Sequence, residues 1–206
     1  MTTTFEAALR DALTKLDMDL PHELWALISW LEERGQRFET PAGLPFLAIA
    51  DAAHRDELWS HIYFDLPPDL VRFWFGSDGL EKQITPFVHC GSDGSYIALW
   101  RHKGAPDRYV FLGSEGEAFT LAETPRAFIT LLTMGYPWIE MRQDLTASPE
   151  QLWEDAHDLP WPGLVAVKDW ASAQFDLKYP MTGSTILPYS ATDDPFIAFV
   201  AEAVGH

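Results

Sequence analysis

The middle of the chain constrains its fold most, because the spacing of hydrophobic residues there changes from helical to alternating. Residues 95–102 alternate strictly between two faces. One face carries Tyr96, Ala98, Trp100 and His102, and the other carries Ile97 and Leu99. A turn signal at 104–107 precedes the continuous apolar run 109–112, which is typical of a strand covered on both faces. Strands this close in sequence pair antiparallel when short loops join them.

Two further runs extend this pattern on either side. Residues 84–89 predict an earlier strand, in which Pro86 is compatible with an edge or a bulge. Residues 113–117 predict a turn, from which Phe119 and Leu121 alternate outward. The tetrapeptide Gly-Ser-Asp-Gly occurs twice, at 76–79 and 91–94, and predicts a turn each time. We therefore predict a meander of about four strands.

Helical patterns flank this region. Within 1–40, two apolar stripes at 3.6-residue spacing predict a helical pair, and 51–61 predicts a short third helix. After the sheet, three pairs combine an N-cap residue with proline at the first helical position. They are Thr124-Pro125, Ser148-Pro149 and Asp194-Pro195, with 168–178 as a further helix. The predicted class is α+β, with a central antiparallel sheet of about four or more strands flanked by N- and C-terminal helices.

The net charge of the chain limits the classes of partner that it can bind. The 206 residues include 14 Lys and Arg against 31 Asp and Glu, a net charge of -17. This balance disfavours nucleic acids and anionic membranes as partners, and the aromatic share of 14% disfavours disorder. The N-terminus does not resemble a signal peptide, no long uncharged apolar run is present, and Cys90 is the single cysteine. We expect a folded cytoplasmic protein, with Cys90 as a small core residue.

A search for catalytic or metal-binding motifs yields no specific signal. The metal candidates lack the spacing of a zinc site; they are His89, Cys90, Asp93 and His102. The glycine-rich stretch 113–117 has no lysine, and its two carboxylates would repel a phosphate. Glu115 and Glu117 could form an acid and base pair, but 31 carboxylates make such neighbours common by chance. We predict no catalytic residues, no metal and no cofactor.

The acidic charge has two interpretations. It can serve solubility alone, or it can form a face that captures a basic protein, with exposed Tyr or Trp as anchors.

Residues 66–136 carry short motifs in a fixed order. They are Leu66-Pro67-Pro68-Asp69-Leu70 leading into Phe73-Trp74, then Pro86-Phe87-Val88-His89, Asp93-Gly94-Ser95-Tyr96-Ile97-Ala98-Leu99-Trp100, Tyr109-Val110-Phe111-Leu112-Gly113-Ser114-Glu115-Gly116-Glu117 and Phe128-Ile129-Thr130-Leu131-Leu132. This series resembles the SUKH superfamily, which also contains the fungal cell-wall glucan synthesis regulators. The resemblance implies an α+β fold with a central antiparallel sheet and supplies no catalytic residues. It also implies that 1–206 is a single SUKH-like domain with its core at 66–136. The helical pair of 1–40 and the Trp-rich segment 137–206 are then appended to it.

Most bacterial SUKH members look like immunity proteins that bind a cognate toxin, often a nuclease. We therefore expect a non-enzymatic protein whose acidic surface neutralises a basic toxin, with the oligomeric state left open. The expected contact residues lie at strand ends and turns near one edge: Asp93, Tyr96, Trp100, Glu115 and Glu117. Gly113 and Gly116 are expected to serve backbone conformation. The alternative is a regulatory or adaptor module without a toxin partner, and an enzyme is the third possibility.

Overall fold

Seven antiparallel strands form the centre of the protein, and each strand pairs with the next one along the chain. The computed structural model describes residues 4–40, 43–50, 60–67, 69–76, 78–102, 104–156 and 164–204. The strands are β1 (Arg37–Glu39), β2 (Pro45–Ala48), β3 (Tyr63–Phe64), β4 (Ile84–His89), β5 (Tyr96–Trp100), β6 (Arg108–Leu112) and β7 (Ala118–Ala122). The predicted meander is confirmed as β4 to β7, and three strands precede it.

Seven α-helices flank the sheet in the described ranges. They are α1 (Phe5–Lys15), α2 (His22–Glu33), α3 (Leu70–Phe75), α4 (Pro125–Thr133), α5 (Pro149–Ala156), α6 (Val165–Phe175) and α7 (Pro195–Val204). The predicted caps form, since Thr124 Oγ1 accepts from the Ala127 backbone N–H at 3.2 Å and Ser148 Oγ accepts from that of Gln151 at 3.2 Å. The α+β class is therefore confirmed. Most of the helix predicted at 51–61 lies outside the described residues.

Strands β1 to β3 were not predicted, because two to four residues are too few to show an alternating pattern. Of the edge or bulge predicted at Pro86, the structure has the bulge: β4 is paired on both sides, and its register with β5 shifts between Pro86 and Val88. Of the helices described, none is long and apolar enough to cross a bilayer.

Helices cover one face of the sheet over β2 to β7. Side chains of α1, α2, α4 and α6 form a single buried cluster with residues from six of the strands, β2 to β7. Tyr109 of β6 stacks on Phe128 of α4 at 4.1 Å between ring centroids. Trp30 of α2 stacks on Trp170 of α6 at 4.8 Å. The chain after residue 136 thus shares the core of the sheet.

The opposite face is covered over β4 to β7 in the residues that the structure describes. There α3 and α7 bury a second cluster, whose members are Val71, Phe75, Ile84, Ala98, Trp100, Val110, Leu112 and Phe196. The helix α7 is fastened by Asp194, whose carboxylate accepts hydrogen bonds from the Thr120 backbone N–H and hydroxyl, each at 2.7 Å. Over β1 to β3, this face carries partly exposed aromatic side chains instead.

Candidate functional site

Two hairpin turns lie side by side at one end of the sheet. In an antiparallel meander, alternate turns fall at the same end, so the β4–β5 turn at 91–94 is adjacent to the β6–β7 turn at 113–117. Asp93 in the first turn accepts a hydrogen bond from the Ser114 hydroxyl in the second at 2.6 Å. The two turns bring Asp93, Glu115 and Glu117 to one exposed edge of the protein.

Asp93 is held by hydroxyl and amide donors. Besides Ser114, the Ser95 hydroxyl donates to its carboxylate at 2.8 Å and the Ser95 backbone N–H at 2.9 Å. Desolvation acts to raise its pKa, but the hydrogen bonds from Ser114 and Ser95 together outweigh this and hold the pKa below its usual value. Asp93 is therefore an ordered, ionised carboxylate at neutral pH.

A third chain segment adds two carboxylates to this edge. Glu140 accepts hydrogen bonds from the Ser92 backbone N–H at 2.8 Å and from its hydroxyl at 2.5 Å. Asp144 accepts from the backbone N–H groups of Glu140 and Met141 at 2.8 and 3.0 Å. Burial raises the pKa of Asp144, and the nearby charges of Glu140 and Asp93 raise it further. We call the five carboxylates the acidic end; they are Asp93, Glu115, Glu117, Glu140 and Asp144.

Gly91 allows these segments to approach each other. A Cβ atom at this position would lie 2.5 Å from Asp93 Oδ1 and 2.7 Å from Glu140 Cγ, so any side chain would push the two carboxylates aside. In the other turn, Gly116 has a φ of +90° and thus the expected special conformation. Gly113 differs from expectation, because its φ is not in the left-handed region; a Cβ atom there would instead lie 2.9 Å from Phe111 Cε1 and 3.1 Å from Glu117 Cβ.

An aromatic row begins at the acidic end and crosses five strands on the partly open face. It consists of Phe38, Phe46, Tyr63, His89 and Tyr96, one residue from each of β1 to β5, all partly exposed. Successive ring centroids are 5.6, 5.0, 4.5 and 5.0 Å apart. No local pattern could have predicted the row, because its continuity depends on the register between strands.

Tyr96 connects the row to a further carboxylate, Asp65, which lies outside the acidic end. Its hydroxyl donates a hydrogen bond to Asp65 at 2.9 Å. Burial raises the pKa of Tyr96 far above its usual value, and the charge of Asp65 adds to this effect. Tyr63, its neighbour across His89, has a pKa raised to about 12 by burial and by Asp65. Both phenols therefore stay neutral, and that of Tyr96 acts as a hydrogen-bond donor.

The structure brings four of the five predicted contact residues together. Asp93, Glu115 and Glu117 are exposed in the two turns, and Tyr96 is partly buried beside them. The prediction for Trp100 was wrong, since this side chain is 0% exposed at the opposite end of β5. It packs against the α7 residues Phe196 and Phe199 with ring centroids 5.0 and 5.3 Å away. Alternation along β5 could not reveal that a helix 95 residues later would cover this face.

The metal candidates are dispersed. His89 lies within the aromatic row, with Nδ1 3.0 Å from the His61 carbonyl oxygen. Cys90 is buried as predicted, and burial raises the pKa of its thiol well above the usual value. His102 packs on Trp100 at the far end of β5. Within the part of the chain that the structure describes, no three His, Cys, Asp or Glu side chains are grouped so as to hold a metal ion.

The acidic end and the aromatic row suit one kind of ligand. Carboxylates and the faces of aromatic rings are the groups that attract lysine and arginine side chains. Comparison of the chain with protein-family models, with curated proteins and with solved structures gave no match.

Proposed function

We propose that the protein is a non-enzymatic immunity protein that binds and neutralises a basic protein toxin through the acidic end. The observation that carries this proposal is the convergence of five carboxylates from three chain segments beside the aromatic row. The sequence resemblance of residues 66–136 to the SUKH superfamily supports the toxin as the class of partner.

The acidic end would capture its partner by charge. A nuclease toxin needs a basic groove for its phosphate-rich substrate, and a cluster of fixed carboxylates offers that groove an alternative ligand. Complementary charge accelerates encounter and selects among partners. The attraction acts over about 10 Å at 0.1 M salt, so association should slow as salt is added.

The aromatic row would supply contacts at short range. A guanidinium or ammonium group over an aromatic face gains about 0.5 to 2 kcal/mol, depending on how far the site is desolvated. Tyr96 links the two features, because its ring packs edge-on against His89 in the row and it lies three residues after Asp93 of the acidic end. A partner with lysine or arginine on its surface could therefore bind the turns and the row at once.

The proposal is tested with the protein encoded by the adjacent gene. Association rates are measured by surface plasmon resonance at about 50 and about 300 mM NaCl, which changes the screening length about 2.5-fold. The double variant Glu115→Gln/Glu117→Gln is compared with Glu154→Gln/Asp155→Asn, which removes the same charge from exposed positions on α5.

We expect the variant in the turn to associate about five- to tenfold more slowly at low salt, and the α5 variant to stay within about twofold of wild type. Equal effects of the two double variants would mean that net charge, and not the acidic end, governs capture. Absence of binding to the neighbouring gene product, together with several weak partners in its place, would favour the adaptor function.

A further inference from the structure

An apolar groove of about 260 Å³ lies between α1, the segment that enters α3, and the start of β4. Its apolar walls include Ala12 and Leu16 from α1, Leu66 and Leu70 from the entering segment, and Ile84 from β4. Four of these side chains are partly exposed, whereas Ile84 forms a buried wall. The groove is thus open to a side chain from outside the protein.

Of the described residues that line this groove, two are charged, and both are carboxylates: Asp69 and Glu81. Glu81 uses one oxygen to accept a hydrogen bond from the Gly79 backbone N–H at 2.8 Å. The carboxylate of Asp69 forms no hydrogen bond or ion pair with any residue that the structure describes. Arg72 on the same helix is already paired with Asp78 at 3.1 Å.

Asp69 is placed where a carboxylate would normally be used locally. It is the N-cap residue of α3, a position at which aspartate usually accepts a hydrogen bond from the first helical turn. Its backbone instead adopts the left-handed conformation, with φ of 59°, and no such bond forms. The charge at the groove therefore remains available to an external cation.

Phe73 extends the apolar surface beyond the groove. It follows Leu70 by three residues on α3, so the two side chains lie on neighbouring positions of the helix surface. Phe73 is 80% exposed, among the most exposed of the large hydrophobic side chains in the described residues. Single exposed hydrophobic residues are common, but this one borders an open apolar groove with acidic residues at its rim.

We propose that this groove binds a partner segment in which leucine or another large apolar side chain is flanked by lysine or arginine. The apolar walls take the side chain, and Asp69 and Glu81 bind the flanking cations. This site is separate from the acidic end, because the groove lies at the start of β4 and the acidic end beyond its last residue, about 17 Å away. The proposal does not depend on the toxin function.

The test uses methyl NMR on the full chain, with assigned signals of Leu16, Leu66, Leu70 and Ile84. The probe is the peptide acetyl-Ser-Lys-Leu-Leu-Arg-Ser-amide. One control peptide replaces Lys and Arg by Glu, and a second replaces both Leu residues by Ser. We expect saturable shifts of the groove methyl groups with the probe, and at least about tenfold weaker binding of both controls.

Three variants locate the binding. Ala12→Phe fills the groove from a partly exposed helical position and should abolish the shifts, while Asp69→Asn should weaken binding several-fold. Asparagine also tolerates the left-handed backbone, so Asp69→Asn should fold normally. Glu115→Gln/Glu117→Gln should leave peptide binding unchanged, because it alters only the acidic end.

The proposal is overturned if the acidic peptide binds as well as the basic one, or if Asp69→Asn binds like wild type. It is also overturned if shifts appear at the acidic end and disappear in Glu115→Gln/Glu117→Gln. Should Ala12→Phe fail to fold, Asp69→Asn and the two control peptides still decide the outcome. If the peptide does not bind this groove, the proposal that the acidic end captures a toxin is unaffected. If the toxin does not bind the acidic end, the proposal for the groove is likewise unaffected.

Discussion

Replacement of Asp194 by alanine should measure how much the docking of α7 contributes to the stability of the fold. Asp194 is 3% exposed, and its carboxylate accepts three hydrogen bonds. Two come from the Thr120 backbone N–H and hydroxyl at 2.7 Å, and one from the Phe196 backbone N–H at 2.9 Å. Among the strands that the structure describes, β7 is at the edge of the sheet, and Asp194 provides the acceptor that a neighbouring strand would otherwise supply.

The expected loss follows from these three contacts. A hydrogen bond to a charged group contributes about 1.5 to 3 kcal/mol, and a buried donor left without a partner costs about 1 to 3 kcal/mol. Contacts that share one carboxylate are not additive, so we expect Asp194→Ala to lower the free energy of unfolding by about 3 to 5 kcal/mol. That is a large part of the 5 to about 15 kcal/mol typical of a folded protein.

Urea unfolding, followed by circular dichroism and tryptophan fluorescence, would measure this loss. With a slope of about 2 to 3 kcal/mol per M, the midpoint should fall by roughly 1 to 2.5 M. Asp193→Ala is the matched control, because the neighbouring Asp193 is exposed and bonds only to Ser190 and Thr192 nearby in sequence. If Asp194→Ala stayed within about 1 kcal/mol of wild type, the docking contribution argued here would be refuted.

Two further variants test the acidic end. Ser114→Ala removes a hydrogen bond to Asp93 and should raise its pKa, measured by carboxyl ¹³C NMR. Because folding lowers the pKa of Asp93, its ionised carboxylate stabilises the fold above the unfolded pKa, and this stabilisation is lost as the pH falls through the folded pKa. Ser114→Ala should reduce this stabilisation. An unchanged pKa of Asp93 in Ser114→Ala would contradict the role assigned to Ser114. Gly91→Ala keeps every charge but displaces Asp93 and Glu140, so it should weaken toxin binding if their arrangement matters, and leave it unchanged if only net charge does.

Much of the fold could be predicted because its signals are local. The N-caps at Thr124 and Ser148 and the alternation along β5 each depend on a few adjacent residues, and each is found as expected. The strands β1 to β3 are too short to carry such a signal. These strands are defined only by pairing with their neighbours across the sheet, and such pairing cannot be predicted from a short stretch of sequence.

The residues of the candidate site likewise include some that could be predicted from local sequence and some that could not. Asp93 and Glu115 could be placed on one edge because turns of a meander alternate between the two ends of the sheet. Glu140 lies in the loop after α4 and Asp144 in the short 3₁₀ helix Arg142–Thr146 that follows, and the approach of this loop to the β4–β5 turn depends on Gly91. Trp100 was wrongly expected to be a contact residue. Its strand was predicted correctly, but the helix α7, from the far end of the chain, covers its side chain.

The acidic end is held together without opposite charge. Its ordered carboxylates accept from serine hydroxyls and backbone N–H groups, and in the described residues none of the five forms an ion pair. The repulsion that remains is reflected in Asp144, whose pKa is raised by burial and then by Glu140 and Asp93. A folded-state pKa above the unfolded value means that ionised Asp144 destabilises the fold at neutral pH.

A basic partner would remove this repulsion. The charge of Asp144 should therefore strengthen toxin binding while it lowers the stability of the free protein. Asp144→Asn keeps an oxygen that can accept from the Glu140 and Met141 N–H groups while removing the charge. We expect it to raise the melting temperature of the free protein at neutral pH and to weaken toxin binding, most strongly at low salt. If the variant instead lowered the melting temperature and bound normally, the charge of Asp144 would serve the fold and not capture.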